Sequence, residues 1–181
     1  MGNKKKANQY FATGFVSILS IAIILGLIWN YYLQPLCVIL GANSDTIDLV
    51  LEYGKCIMAF APVFMMSNYF APIVRNMKNP KLVMCAVLTG SVLNVILDYV
   101  FVFPMDMGMF GAAAATVIGS LTTLLVLSTH FIKKQNRVKI NKETISLNLL
   151  APIFKCGFSS LIMEVASGFV IFIFNIQILK Y

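Results

Sequence analysis

The chain has 181 residues, 59% of them apolar and 12% charged, with a formal net charge of +7 and a mean hydropathy of +0.84. That balance excludes a water-soluble domain, whose apolar share is lower and whose charged share is about twice as high. The sequence reads as an integral membrane protein, and its basic surplus is explained by membrane orientation, so no nucleic-acid partner is required.

Stretches of roughly 20 mostly apolar residues, the length that crosses a hydrocarbon core of ~30 Å, occur at 11–33, 50–74, 82–103, 109–132 and 149–179. Backbone groups in lipid must be satisfied within the segment, and barrel strands would be half as long and alternate. The predicted fold class is therefore all-α, a polytopic membrane helix bundle with five transmembrane helices. The first apolar run is too long for a signal peptide, and no small-residue cleavage pattern follows it.

The first predicted helix follows Lys4, Lys5 and Lys6 and carries Thr13, Ser17 and Ser20 on one side near that end. Trp29, Tyr31 and Tyr32 lie at the other end, as interfacial anchors do. Residues 41–45 then read as a turn leading into the second helix. There Pro62 and Pro72 each remove a backbone donor, so both are expected to kink or break it, as a packing kink or as a gating hinge. Lys55 lies near its start.

Arg75, Lys78 and Lys81 occupy the next turn, and Lys133, Lys134, Arg137, Lys139 and Lys142 occupy the longest polar stretch. The intervening turns carry Asp45, Asp48 and Glu52, then Asp106. By the positive-inside rule the N-terminus and both basic loops are expected in the cytoplasm, the second loop also suiting contact with anionic lipid.

The third helix, 82–103, is uncharged except for Asp98. Gly90, Ser91, Asn94 and Asp98 follow the helical period and are expected to share a face. A carboxylate at that depth is costly in lipid and usually marks an ion or proton pathway. Asp98 lies six residues before Pro104 and Thr116 six residues after Phe110, each roughly 9 Å inside its helix. Joined by a short turn, the two helices should run antiparallel and bring Asn94, Asp98 and Thr116 together. Their amide, carboxylate and hydroxyl oxygens suit a small hard cation such as Na⁺, and a desolvated carboxylate can instead hold a proton. The structural alternative is an Asp satisfied by Asn94 and backbone. On the fourth helix, Gly111, Ala115 and Gly119 recur every four residues, which lets another helix approach closely.

On the last helix, Glu164 lies roughly 14 Å beyond Lys155, with Ser160, Ser167, Gly168 and Asn175 forming a polar stripe expected to face a cavity or partner helix. Glu164 reads either as a substrate or proton site or as a structural hydrogen-bonding group. His130, at the inner end of the fourth helix, is expected to be solvated at the interface, and Asp106 in its turn likewise. Cys37, Cys56, Cys85 and Cys156 have neither metal spacing nor a paired framework, although Cys37 and Cys56 lie close enough to the same membrane face to leave a bridge open. No nucleotide-binding loop, catalytic triad or His/Cys ligand cluster is present, so an enzyme and a resident cofactor are not expected.

Three segments in order, Arg75-Asn-Met-Lys-Asn-Pro80, Gly90-Ser-Val-Leu-Asn-Val-Ile-Leu-Asp98 and Gly111-Ala-Ala-Ala-Ala-Thr116, resemble the multidrug and toxic compound extrusion (MATE) family. The resemblance implies a twelve-helix protein of two six-helix lobes that exchanges organic cations or other drugs for Na⁺ or H⁺ across the cell membrane. On it, residues 1–132 would be four helices of the N-lobe, 133–148 a cytoplasmic inter-lobe linker and 149–181 the first helix of the C-lobe. Asn94, Asp98 and Thr116 would match the N-lobe coupling-cation site, and Glu164 resembles an acidic residue on the seventh helix of some members. Lys78 stands where the family usually carries Gly. On the same resemblance the first-helix Asp that completes the cation site would have no counterpart among these residues, which would correspond to the third to seventh helices, and transport would require the remaining helices. Two other readings stay open: a truncated, non-transporting membrane bundle, and a lipid-linked sugar flippase of the same superfamily. The flippase would want cations lining its cavity, where only Lys55 and Lys155, both near helix ends, are placed.

Overall fold

The computed structural model describes residues 2–132 and 147–178, and among these every regular element is a helix. They are α1 (Gly2–Ile39), α2 (Ile47–Ala59), α3 (Ala61–Asn76), α4 (Pro80–Val102), α5 (Gly108–Ile132) and, after a 3₁₀ turn at Leu147–Leu149, α6 (Leu150–Ile178). Four helices are long and apolar enough to cross a membrane, or five if α2 and α3, bent by 55° at their junction, form one broken span. Most of the 133–148 linker lies outside the described residues.

α1 is longer than its apolar run, because the segment around Lys4 to Lys6 continues it towards the N-terminus and Pro35 lies near its C-terminal end without stopping it. It ends at Gly41, whose φ is +103°. The Ala42 amide donates to the Cys37 carbonyl and the Gly41 amide to the Val38 carbonyl, at 3.0 and 3.1 Å, the paired bonds of a Schellman cap. The expected turn at 41–45 follows, held by the Asn43 Oδ1, which accepts from the Thr46 amide at 3.1 Å and hydroxyl at 2.7 Å.

The two prolines of the second span behave differently. Pro62 lies in the first turn of α3, just after the break at Phe60, whereas Pro72 sits inside α3 without ending it. α1 packs closely against the break: a Cβ on Gly26 would come within 3.0 Å of the Met58 carbonyl oxygen.

The α3 to α4 turn repeats the Schellman pattern without a glycine. Lys78 takes φ +64°, while the Asn79 amide donates to the Val74 carbonyl at 3.3 Å and the Lys78 amide to that of Arg75 at 3.2 Å. Asn79 then caps α4, its Oδ1 accepting from the Leu82 amide at 3.4 Å with Pro80 in the first turn.

α4 and α5 form an antiparallel pair, and α5 also contacts α2 and α3, so it is the centre of the bundle. The core gathers Phe11 from α1, Met66, Phe70 and Val74 from α3, Val83 and Ala86 from α4 and Leu127 from α5. Phe70 stacks on Phe11 at 6.3 Å and meets Phe131 in a tilted contact at 4.8 Å. α6 touches only α1 and the 3₁₀ turn among the described elements, and its apolar side chains, such as Met163 and Phe169, stand exposed. Exposure of that kind is what lipid-facing surface requires.

Candidate functional site

The α4/α5 pair is set by small residues. A Cβ on Gly111 would fall 2.9 Å from the Phe101 Cβ, and one on Gly119 would fall 2.7 Å from the Gly90 carbonyl oxygen. The stripe Gly111, Ala115, Gly119 does admit a helix, and that helix is α4. Below the crossing the Thr123 hydroxyl lies 3.1 Å from the Gly119 carbonyl in its own helix and 3.3 Å from the Ala86 carbonyl across the interface. One proton can serve only one acceptor at a time, so the two carbonyls share it.

One turn above the crossing, the Asn94 amide nitrogen donates to the Thr116 hydroxyl at 3.4 Å. Thr116 in turn donates to the Ala112 carbonyl at 3.0 Å. With its amide nitrogen directed at Thr116, Asn94 presents Oδ1 as an acceptor that no described residue engages. Asp98 lies one further turn towards the C-terminal end of α4, half-buried, and its Oδ1 is fully enclosed with no hydrogen-bond partner among the described residues. An enclosed carboxylate oxygen without a donor is expensive, and an intramembrane acid in that state is a candidate for holding a small cation or a proton.

The expected meeting of Thr116 with Asn94 is seen at 3.4 Å, although α5 begins at Gly108, two residues before Phe110, which sets Thr116 about 3 Å deeper than expected. Ser91 is also displaced from the expected face: it is exposed, while Gly90 is buried and Asn94 half-buried.

Glu164 is not brought to this cluster, because α6 makes no contact with α4 or α5 and Glu164 is exposed. The expected polar stripe does not face the neighbouring helix as a unit: a cleft of about 550 Å³ between α6 and the α1/α3 side is lined by Ile153, Phe154, Lys155, Phe158 and Leu161 but not by Ser160 or Glu164. Asn175 instead lines a small groove against Gly41 and Thr46. A groove of about 750 Å³ between α2 and α5 carries Asp48, Glu52 and Lys55 beside Phe60 and Phe110, and it includes none of Asn94, Asp98 and Thr116.

His130 corrects an expectation. It is only 4% exposed, not solvated, because Phe131 stands edge-on beside it at 5.5 Å and Asn79 donates to its Nδ1 at 3.2 Å. Asp106, in contrast, is exposed in its turn at φ +49°. All four cysteines are free, so Cys37 and Cys56 form no bridge.

Three residues with structural roles escaped the sequence reading. Asn79 had a signal, since Asn followed by Pro is a helix-start pattern. Thr123 lies one helical turn beyond Gly119, on the α4 side of the same helix. Tyr69 had no signal: its hydroxyl donates to the Phe11 carbonyl at 2.8 Å, over Gly14, where a Cβ would come 2.6 Å from that hydroxyl.

Comparison with known proteins places this architecture. The MatE family model matches residues 1–100, more than half of the chain. The multidrug export protein MepA of Staphylococcus aureus (strain MSSA476) is 30% identical over 183 residues, covering 97% of this chain and 41% of MepA. MepA of Staphylococcus saprophyticus is 27% identical over the same coverage. The chain thus spans about two fifths of the length of the curated relatives it matches. A solved structure, described as the inward-facing conformation of a multidrug resistance MATE family transporter of the MOP superfamily, superposes with a TM-score of 0.78 at 24% identity, over 87% of this chain and 37% of the other. That likeness carries the fold.

Proposed function

The chain belongs to the MatE family, and from that premise we propose that it forms part of a cation-coupled multidrug efflux antiporter. The observation that supports this best is the Asn94 to Thr116 hydrogen bond across α4 and α5 with the enclosed, unpartnered Asp98 Oδ1 one turn away. In this reading Asn94, Asp98 and Thr116 hold the coupling ion, Na⁺ or H⁺, and no other cofactor takes part. The exported substrates would be drugs, as for the multidrug export protein MepA, with small organic cations the class that the family resemblance implies. Glu164 is a second substrate or proton group, placed on α6 and awaiting partners from helices outside this chain.

The same reading puts the protein in the cell membrane as a multi-pass chain with the N-terminus, the Arg75 to Lys81 turn and the 133–148 linker in the cytoplasm. Residues 1–132 then belong to one lobe and 149–181 to the other. Ion binding alters the balance between two lobe arrangements only as far as it favours one of them. A carboxylate that must be either ion-bound or protonated before it enters lipid-like surroundings supplies such a preference.

The test is Asp98→Asn in the assembled transporter. Export of a fluorescent organic cation is expected to be lost, with membrane insertion unchanged. Export at the unsubstituted rate would reduce Asp98 to a structural acid, and no export by the unsubstituted assembly would favour the truncated, non-transporting bundle.

A further inference from the structure

Gly119 stands at the closest approach of α4 and α5. A Cβ there would lie 2.7 Å from the Gly90 carbonyl oxygen and 2.9 Å from the Asn94 Cβ, and a Cβ on Gly90 would reciprocally lie 2.6 Å from the Gly119 carbonyl oxygen. These obstacles are main-chain atoms and the first atom of a side chain, none of which can swing aside, so any added methyl must push the helices apart. Asn94 is both the residue that such a methyl would strike and the donor to Thr116. At 3.4 Å that bond is already beyond the usual N–H to O range, so a shift of a few tenths of an ångström breaks it.

We propose that Gly119 is a positioning residue: its missing side chain sets the separation of Asn94 from Thr116. It thereby fixes the spacing of the α4 and α5 side chains one turn from Asp98. The consequence for ion binding, though not the geometry itself, rests on the cation reading above.

The geometry is tested by replacing the four native cysteines with alanine and introducing Asn94→Cys with Thr116→Cys, which preserves the Cβ at 94. Cross-linking of the pair in native membranes by a short bis-methanethiosulfonate reagent is then timed with and without Gly119→Ala. Overpacking of this kind is expected to slow the reaction about tenfold or more. Gly168→Ala, whose Cβ meets nothing within 4 Å, is expected to leave the rate unchanged. In parallel, with Asn94 and Thr116 intact, the Na⁺ concentration that half-protects Asp98 from carbodiimide labelling is expected to rise about tenfold in Gly119→Ala.

An unchanged cross-linking rate in inserted Gly119→Ala overturns the proposal. Slowed cross-linking with no Na⁺ protection of Asp98 in the unsubstituted chain upholds the positioning role and overturns Na⁺ binding at the cluster instead. Should Gly119→Ala fail to insert, Gly90→Ala crowds the same crossing from α4 and carries the same expectation and the same refuting result.

Discussion

Replacing Lys78 by glycine should stabilise the protein. Lys78 closes α3 in the left-handed region at φ +64°, where an L-residue places its Cβ against the following carbonyl at a cost of roughly 1–2 kcal/mol. Gly41 does the same work at the end of α1 without that cost. Glycine at 78 removes the strain but gives the unfolded chain back about 0.4–1 kcal/mol of freedom, which leaves a net gain of about 0–1.6 kcal/mol, centred on about 0.8. Lys78→Ala keeps the strained Cβ and should change little, whereas Lys78→Val adds a β-branch that the left-handed region resists. The valine is expected to cost at least another ~1 kcal/mol, because Asn79 follows directly and would be pulled from its cap on α4. Unfolding by sodium dodecyl sulfate in mixed micelles, followed through the emission of Trp29, the one tryptophan in the chain, gives the order glycine above lysine and alanine, with valine lowest. Equal midpoints for glycine and valine would refute a left-handed backbone at 78 and with it the Schellman closure of α3.

Asn79→Ala removes both the α4 cap and the donor to His130 and should cost about 1–2 kcal/mol in the same titration; a midpoint unchanged from the parent would show that the two bonds do not hold the turn. Tyr69→Phe deletes the hydroxyl bonded to the Phe11 carbonyl at 2.8 Å while keeping the ring in its cluster, and a loss of about 1 kcal/mol is expected; a loss above about 3 kcal/mol would mean that ring packing was disturbed as well. For orientation, single cysteines placed in 133–148 in a cysteine-free chain should react with an impermeant maleimide only after the membrane is opened, and labelling from outside intact cells would invert the topology.

Much of the fold was legible in the sequence because lipid leaves the backbone few options. A run of about 20 apolar residues must be a helix there, so the spans followed from composition, and the short turn at 104–110 was enough to make α4 and α5 antiparallel neighbours. The polar members of the candidate site were equally visible, since Asp98 is conspicuous against an uncharged run. What the sequence could not supply was register and contact. Two extra residues at the start of α5 set Thr116 deeper than equal counting gave, and a helical period alone does not say that Ser91 is exposed while Gly90 is buried. Nor do two prolines in one span reveal which will break it: the break came before Pro62, where Pro suits a new first turn, while α3 runs on through Pro72. His130 looked like a surface residue by position and became a buried one because Asn79 and Phe131 close over it, and Lys78 showed no sign that it would take a glycine's conformation. Local chemistry thus determined which segments are helices and which residues are polar within them. Only tertiary packing, through the hard-sphere fit of Gly90 against Gly119 and the turn geometry that sets helix ends, decided which of those residues meet.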